Sequence, residues 1–503
     1  MSNQNSEQET IRTQKKNTLE QLGINPYPPE AFNVTTYTTH ILNNYQQGKT
    51  VTIAGRVTTR RVMGAASFAD LQDSTGKIQL YIHRDSLCPN TNKHHYNTVF
   101  KKLIDIGDII GITGTLFKTK LGEISVRVHH LKLLAKALKP LPIVKEAGEQ
   151  NNKKQFDTFT DPEQRYRQRY VDLIVNPHVK QTFAKRTKII TFIRQYLNKI
   201  NCLEVETPIL QPIYGGALAR PFKTFHNTLK TNLYLRIANE LYLKRLIVGG
   251  IDRVYEFAKD FRNEGMSRFH NPEFTMMEVY IAYKDYLWMM NTTEDMLETL
   301  TQHLHNTTKV TVGNNLIDFK RPWQRLTVFE AIHKFTGIDI STLTTQELRD
   351  TATELGTAVD NTMDKGKIID QIFSTHCEPN LIQPTFITDY PVEMSPLAKR
   401  HRTNPNLVER FEVICNGKEI CNAFSELNDP IDQRNRLEEQ LQLGKRGDQE
   451  AMVLDEDFIR AISYGMPPTV GLGLGIDRLT MIMTNAPSIQ EVILFPQMKP
   501  ENQ

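Results

Sequence analysis

Apolar and polar residues alternate along the first part of the chain, and helical spacing becomes more common further on. From residue 50, apolar side chains occupy every second position in five short runs, which predicts strands that bury one face. The runs are 51–57, 66–71, 78–82, 109–112 and 124–128. A helical pattern over 96–104 lies between the third and the fourth run. This arrangement predicts a small β-domain with one helix inserted in it.

Five strands with a helix after the third are typical of an oligonucleotide-binding (OB) barrel. On such a barrel, Phe68 could stack on an unpaired base and Gln79 could bond with its edge. Phe68 is equally compatible with the barrel core. The basic excess lies in the first 150 residues, which favours attraction to nucleic-acid phosphates and is also compatible with an ordinary surface.

The next strong pattern is a helix over 177–200, followed by a short strand over 202–206 and Pro208. The apolar stripe of this helix is wide enough to contact both its own core and a second copy of the chain. Its members are Val179, Phe183, Ile190, Ile193, Leu197 and Ile200. We therefore expect a homodimer through this helix and the strand that ends at Pro208, and the alternative is that the stripe packs only within one subunit.

A hairpin over 253–280 carries the first candidate chemistry. Alternation predicts two strands, with Arg262 and Glu264 on one face of the first. The face of the second strand is made of Phe274, Met276, Glu278 and Tyr280. An arginine fork binds two phosphate oxygens at once, and a phenylalanine ring can stack on a purine. The alternative is a surface hairpin with ordinary ion pairs.

A second hairpin offers paired carboxylates. Asn416-Gly417 between two apolar runs predicts a two-residue turn, which places Glu412 and Glu419 on one face. With no basic partner assigned to that face, the two carboxylates would repel unless a cation such as Mg²⁺ lay between them. Residues 422–426 can join the same face only if the strand carries a bulge near 421–422.

Near the C-terminus, a glycine-rich strand over 471–475 runs into a helix. We expect this helix to be capped around Asp477, with Arg478 in its first turn.

Composition excludes some classes of protein. No apolar run approaches the length of about 18 residues that a membrane span needs, and the N-terminal segment has no apolar signal core, so we expect a cytoplasmic protein without a membrane segment. The cysteines are five and include no Cys-x-x-Cys pair, which predicts reduced, packed thiols rather than a disulfide framework or a zinc site.

Three of these segments, taken in order, resemble the signature motifs of the class II aminoacyl-tRNA synthetases. They are the long helix with its strand and Pro208, the Phe-Arg-x-Glu segment from Phe261, and the Gly-x-Gly-x-Asp-Arg segment that ends at Arg478. Each motif alone is weak, whereas three in this order are specific. Five segments extend the resemblance to the bacterial-type class II lysyl-tRNA synthetases over essentially the whole chain. They are 165–173, 215–222, 239–245, 271–278 and 422–429.

The resemblance implies an α+β fold, with an N-terminal five-stranded OB-fold β-barrel and a C-terminal class II synthetase antiparallel sheet flanked by helices. The expected domains are 1–145 for the N-terminal helix and anticodon-binding barrel, 146–175 for a linker, and 176–503 for the catalytic domain with a helical insertion at about 325–380. The implied reaction activates L-lysine with ATP to lysyl-adenylate and pyrophosphate, and then transfers lysine to the 3′ end of tRNA(Lys). The implied cofactor is Mg²⁺, with up to three ions, and the implied assembly is a homodimer.

Matched by position, the resemblance implies roles for single residues. Arg262 and Arg478 would be catalytic and hold the α- and γ-phosphates of ATP, Glu264 would meet the adenine amino group, Phe274 would stack on the ring, and His270 would lie near the tail phosphates. The implied metal ligands are Glu412 and Glu419. The implied lysine-binding residues are Gly216, Glu240, Arg262, Glu278, Tyr280, Asn422, Phe424 and Glu426. The implied anticodon-binding residues are Phe68, Gln79 and Glu123.

Departures from the family pattern are Asn239 for an expected Pro, Ala423 for an expected Gly, and Ala65 for a basic residue. Of the three, only Ala65 puts a contact of the barrel with a nucleic-acid phosphate in doubt. The alternatives are an aspartyl- or asparaginyl-type synthetase, a paralogue that modifies a protein lysine, and a non-catalytic tRNA-binding protein. A pocket for aspartate or asparagine should offer a cation or an amide, whereas the candidates are the carboxylates Glu240, Glu278 and Glu426.

Overall fold

The computed structural model describes residues 6–142, 145–147, 154–156, 159–360, 363–445 and 452–501. The chain forms two compact units, Met1–Val175 together with Pro500–Gln503, and Asn176–Lys499. Each unit has a hydrophobic core of its own. The predicted linker, 146–175, lies partly outside the described residues.

The N-terminal unit contains the predicted OB barrel. Its five strands close in the order β1-β2-β3-β5-β4, which confirms the barrel read from the alternation. The helices are α1 Glu7–Gln21, α2 Thr38–Asn43, α3 Arg84–Leu87, α4 Pro162–Arg167 and α5 Arg169–Val175, and a π-helical segment spans His95–Leu103. The strands are β1 Thr50–Val62, β2 Ala66–Gln72, β3 Lys77–His83, β4 Ile109–Lys118, β5 Ile124–Ala135, β6 Lys145–Ala147 and β7 Lys154–Phe156.

Closure of the barrel depends on two glycines where strands approach each other closely. A Cβ added to Gly55 would lie 2.4 Å from the carbonyl oxygen of Gln72, and one added to Gly114 would lie 2.3 Å from that of Arg127. Gly114 also adjoins a break in the register between β4 and β5. Bulges and glycines of this kind let a strand bend sharply enough to join its neighbours on both sides.

The C-terminal unit is built on an eight-stranded sheet in the order β16-β17-β18-β19-β20-β13-β12-β8. The six central strands are antiparallel, while β16 and β8 add in parallel at the two edges. The helices are α6 Pro177–Lys199, α7 Glu240–Val248, α8 Tyr286–His305, α9 Val328–Thr336, α10 Thr345–Glu354, α11 Lys365–His376, α12 Pro430–Lys445, α13 Glu456–Ile462 and α14 Ile476–Thr484. The strands are β8 Leu203–Glu204, β9 Leu210–Gln211, β10 Lys223–His226, β11 Thr231–Leu235, β12 Arg253–Phe261, β13 Glu273–Ala282, β14 Lys309–Val312, β15 Asn315–Asp318, β16 Gln324–Thr327, β17 Thr385–Thr388, β18 Arg410–Cys415, β19 Lys418–Ser425 and β20 Thr469–Gly475.

Helices α6 and α8 cover one face of this sheet, while the other carries α7 and α13 against Val254, Tyr280 and Ala282 and also holds a cavity. On β13, Met277, Val279 and Ile281 belong to the core that α6 and α8 cover. The alternate residues of the same strand therefore point to the opposite face. Of the predicted α6 stripe, Ile193 and Leu197 are buried in this core and Ile190 and Ile200 pack against it, and Val179 is buried as well.

The strand predicted after α6 is shorter than expected. It covers Leu203–Glu204 rather than 202–206, because it pairs with β12 at only two positions. Between β16 and β17, helices α9, α10 and α11 enclose a separate apolar cluster.

All five cysteines are buried and unpaired, as predicted. Burial raises the pKa of the Cys202 thiol to about 11, which keeps it protonated at neutral pH. In the described part of the chain, no helix combines the length and the apolar character that a membrane crossing requires.

Candidate active site

A cavity of the C-terminal unit lies on the face of the sheet opposite α6 and α8. It has a volume of about 520 Å³, and β13, β18, β19 and β20 contribute to its wall. Cavities of this size bind small molecules such as nucleotides. The predicted site residues that line it are Gly216, Glu240, Arg262, Glu264, His270, Phe274, Glu278, Tyr280, Glu412, Glu419, Asn422, Phe424 and Arg478. The structure therefore brings together in one cavity every residue assigned to ATP, metal and amino acid except Glu426.

Arg262 and Glu264 lie in a loop, not on a strand as the alternation suggested. Strand β12 ends at Phe261, and the Arg262 amide then donates to the carbonyl of Pro272 at 2.9 Å. This bond continues the pairing of β12 with β13 by one position, and the loop begins there. The Arg262 guanidinium lies 5.0 Å above the ring of Phe274, and its Nε is buried with no acceptor among the described residues. An unsatisfied buried N–H of a cation is suited to an anionic ligand.

Arg478 connects two other predicted site residues. Its guanidinium donates to the Glu419 carbonyl at 2.8 Å and to the Glu419 carboxylate at 3.1 Å, and it lies 3.2 Å from Nε2 of His270. Burial, followed by the positive charges of Arg478 and Lys418, lowers the pKa of His270. His270 is therefore neutral at pH 7 and adds no charge to this end of the cavity.

The cap of α14 differs from the prediction. The N-cap is Gly475, and Asp477 lies inside the first turn. Asp477 accepts from the Thr275 amide at 2.7 Å and pairs with Arg186 at 2.6 Å. It joins α14 to β13 and α6, and so fixes the helix that presents Arg478.

The second hairpin has the predicted turn and the predicted bulge, with the bulge one residue earlier. Ile414 opposes Glu419, and the register then shifts so that Val413 opposes Cys421. The extra residue is therefore Ile420, not 421–422. Because of this bulge, Glu419 and Asn422 both line the cavity, although strict alternation would put them on opposite faces.

The expectation that no basic residue faces Glu412 and Glu419 was wrong. Arg410 donates to Glu412 at 2.5 Å, and Arg478 pairs with Glu419. Burial and then the charge of Glu419 raise the pKa of Glu412 to about 7, against the opposing effect of Arg410. The two carboxylates thus still repel each other, and this repulsion is what a bound cation would relieve.

The donor set suits a metal held jointly with a ligand. No group of three or more His, Cys, Asp or Glu in the described residues could hold an ion by itself. Two carboxylates that leave the remaining positions to phosphate oxygens and water are the usual arrangement for Mg²⁺. Asp370 of α11 also lines the cavity, and burial raises its pKa, with a further contribution from Glu419.

The amino-acid end of the cavity is acidic and buried. The Tyr280 hydroxyl donates to Glu278 at 3.0 Å. Burial, followed by the charges of Asp260 and Glu240, raises the pKa of Glu278 well above its ordinary value. A buried carboxylate that is disfavoured in this way gains most from a cationic ligand.

Glu426 lies behind the cavity wall and not on it. Its carboxylate is buried and pairs with the ammonium group of Lys244. One of its oxygens is so close to Gly471, which lines the cavity, that an added Cβ would lie 2.2 Å away. The structure thus keeps Glu426 near the amino-acid end and gives it a protein partner that the sequence did not suggest.

The N-terminal unit presents an aromatic surface of its own. Phe68 is half-buried, lies 5.3 Å from Tyr81 and is covered by Arg61 at 5.9 Å. It is absent from the buried barrel core. Gln79 donates to Glu123 at 2.9 Å and accepts from the Ser125 hydroxyl at 3.0 Å. Stacked aromatics beside cations are typical of single-strand nucleic-acid binding.

Sequence reasoning missed three residues of the catalytic unit. Arg410 stands two positions before Glu412 on one strand, so the period of two could have found it. Lys244 follows Glu240 by four positions on α7, which is a recognisable helical ion pair. Asp370 comes from a separate helix, and no motif near it in the sequence marks it as a site residue.

A closed OB barrel, together with an antiparallel sheet that presents Arg262, Phe274 and Arg478 in one cavity, defines the chain as a class II aminoacyl-tRNA synthetase. Residues 161–499 match the model of the class II tRNA synthetases (D, K and N), and residues 51–134 match the OB-fold nucleic acid binding domain. The chain belongs to the lysine–tRNA ligase family within this class.

Three curated relatives, each named lysine–tRNA ligase, illustrate the similarity. The protein of Porphyromonas gingivalis strain W83 is 59% identical over 501 residues, which cover 99% of this chain and 86% of the relative. That of Christiangramia forsetii is 58% identical and covers 99% and 87% of the two chains. That of Azobacteroides pseudotrichonymphae is 54% identical and covers 99% of both.

Proposed function

We propose that this protein is a lysine–tRNA ligase, which forms lysyl-adenylate from L-lysine and ATP and then charges tRNA(Lys). The observation that carries the proposal is the acidic end of the cavity, where Glu240 and Glu278 line the wall and Glu426 lies behind it. A substrate with two ammonium groups needs ionised partners when it leaves water. The buried ammonium of Lys244 is already paired with two of these carboxylates and does not offer a free cation to aspartate.

Activation requires positioning and charge neutralisation rather than a general base. The carboxylate of lysine is ionised at neutral pH and attacks the α-phosphate directly. Arg262, with its unpaired buried Nε, would bind the α-phosphate and the substrate carboxylate and stabilise the charge that develops between them. Phe274, beneath that guanidinium, would stack on the adenine while Glu264 accepts from the adenine amino group.

The other end of the cavity would hold the pyrophosphate that leaves. Arg478 would bind the γ-phosphate, with neutral His270 beside it. Glu412 and Glu419 would hold Mg²⁺, which neutralises phosphate charge when bound. The family generally uses Mg²⁺, and a number of up to three ions follows from the resemblance alone.

The N-terminal barrel would read the anticodon of tRNA(Lys). Phe68 would stack on a base, and Gln79 and Glu123 would exchange their mutual hydrogen bond for bonds to base edges. A U-rich anticodon is the expected ligand.

We also propose a homodimer, located in the cytoplasm, where translation takes place. The α6 stripe packs mainly within the subunit, so the apolar residues that follow it are the better candidates for the interface. Side chains that are at least half exposed there are Leu203, Leu210, Phe225 and Leu229. Large apolar side chains that a lone subunit would leave exposed to water favour a subunit interface in this segment.

ATP–pyrophosphate exchange with each amino acid in turn tests the function, because it reports activation without tRNA. We expect exchange with lysine and none with aspartate or asparagine. An Arg262→Ala variant serves as the inactive control, since it removes the proposed α-phosphate ligand. Exchange driven by aspartate or asparagine would contradict the proposal, and no exchange with any amino acid would favour a non-catalytic tRNA-binding protein.

A further inference from the structure

Lys244 is a buried cation at the amino-acid end of the cavity. Its side chain is completely buried and pairs with Glu240 at 2.5 Å and with Glu426. Its Nζ also lies 5.5 Å from the ring centre of Phe424 and 5.8 Å from that of Phe458. Glu240 lines the cavity, while Glu426 lies behind it. One ammonium group therefore joins a carboxylate on the wall to a carboxylate beneath it.

The ion pairs keep Lys244 charged. Burial alone would lower the pKa of Lys244, but Glu240 and Glu426 raise it above its ordinary value. The opposite holds for the carboxylates, because burial raises the pKa of both Glu240 and Glu426 and the charge of Lys244 opposes the rise. Removal of the ammonium would leave adjacent buried carboxylates that repel each other or bind a proton.

The net charge of the amino-acid end can be compared with the charge of the substrate that it would bind. A cationic ligand favours the ionised form of the carboxylates at this end. With Glu240, Glu278 and Glu426 ionised and Lys244 protonated, the formal charge of the four groups is two negative charges. A lysine substrate brings two ammonium groups to this end, and its carboxylate is left to Arg262. A separate ion-paired cluster of Arg236 with Glu256 and Asp260 adjoins the cavity without lining it.

We propose that Lys244 is a positioning and specificity-determining residue: it holds Glu240 and Glu426 together and sets the charge of the amino-acid end to match a diammonium substrate. The proposal rests on the proposed function, because it takes the substrate to be one that brings two ammonium groups to these carboxylates. Lys244 acts through the carboxylates and does not touch the substrate.

The test compares three variants of the full-length chain in lysine-dependent ATP–pyrophosphate exchange: Lys244→Met, Glu426→Gln and the double variant. Lys244→Met removes a positive charge and Glu426→Gln removes a negative charge, and each breaks the buried ion pair. We therefore expect the KM for lysine to rise about 10²-fold in either single variant. The KM for ATP should stay within about threefold of wild type. The double variant restores the charge, and its KM for lysine should return to within about tenfold of wild type. Lys320→Met, at an exposed lysine of the same unit, is the matched control and should behave as wild type.

A merely structural role predicts a different result. If Lys244 only stabilised the packing, the two substitutions would disturb the same region, and the double variant would be at least as impaired as the weaker single variant. A double variant no better than Glu426→Gln alone, or an unchanged KM for lysine in Lys244→Met, would overturn the proposal. If Lys244→Met does not fold, the comparison of Glu426→Gln with the double variant still decides, since the double variant restores the formal charge and removes both members of the Lys244–Glu426 pair, with Glu240 alone losing its partner. Absence of lysine exchange in the wild-type protein would instead overturn the proposed function, and this inference with it.

Discussion

Replacement of Arg410 by Lys should weaken lysine activation although the positive charge is kept. Arg410 begins β18, and its guanidinium lies 4.4 Å from the ring centre of Tyr390. Its three nitrogens donate to four different groups. The acceptors are the Met394 carbonyl at 3.0 Å, the Ser395 hydroxyl at 2.9 Å, the Asn422 amide oxygen at 3.1 Å and the Glu412 carboxylate at 2.5 Å. A single planar group therefore links a proposed metal ligand to a proposed lysine-binding residue.

The magnitude follows from the bonds that a lysine side chain cannot reproduce. An ammonium group is a compact donor on a flexible stem, so it cannot span acceptors on both sides of the planar fork. A loss of two charge-assisted hydrogen bonds at about 1.5–3 kcal/mol each, partly regained by a new bond to Glu412, gives roughly 3 kcal/mol. This energy corresponds to about a 10²-fold decrease in kcat/KM.

Pyrophosphate exchange at several Mg²⁺ concentrations measures the effect. In the Arg410→Lys variant, we expect higher requirements for both lysine and Mg²⁺, because Asn422 and Glu412 lose the same partner. Arg321→Lys is the matched control, since Arg321 forms only partly exposed ion pairs with Asp295 and Glu298 and should stay within about twofold of wild type. Activity of Arg410→Lys within threefold of wild type would refute the reasoning.

Three further predictions concern stability, tRNA binding and assembly. Burial raises the pKa of Asp260 to about 6 in the folded protein. The contribution of Asp260 to stability is therefore full below the unfolded pKa of about 4 and falls by about 3 kcal/mol as the pH rises through 6. In urea unfolding at several pH values, Asp260→Asn should flatten this fall, and a pH profile unchanged from wild type would contradict the assignment. Phe68→Ala should cost about 1–3 kcal/mol of tRNA binding and leave lysine activation intact, whereas equal losses in both assays would assign Phe68 to the barrel core. Sedimentation at micromolar concentration should show a dimer, and Leu210→Glu should shift the protein towards monomer. A single species near 57.9 kDa in the wild-type protein would contradict the prediction.

Local patterns predicted the parts of the fold that local physics determines. Alternation located all five barrel strands, and Asn416-Gly417 located the tight turn, because both residues adopt positive φ there. The same reasoning failed at Arg262. A strand and a loop that continues in the same direction have similar sequences, but pairing stops after Phe261 because Pro272 accepts from the Arg262 amide and has no N–H to donate back.

Other parts of the site depend on contacts between distant segments. Asp370 reaches the cavity from a helix of the 325–380 region, and nothing in its own neighbourhood indicates this. The sequence required a bulge in β19 if the site was to be complete, but the choice of Ile420 as the extra residue depends on how both neighbouring strands pair. Glu426 was predicted as a pocket residue, and its partner Lys244 became evident only from the packing of α7 on the sheet.

The bulge at Ile420 has a consequence for insertions and deletions in this hairpin. The turn at 416–417 fixes one end of β19, and pairing with β20 fixes the other. Deletion of Ile420 would leave Glu419 and Asn422 two positions apart, so strict alternation would keep both on the cavity face without a bulge. Homologues that bind the same ligands should therefore tolerate the loss of this one residue, whereas deletion of Ala423 should impair lysine activation because it would send Asn422 and Phe424 to opposite faces.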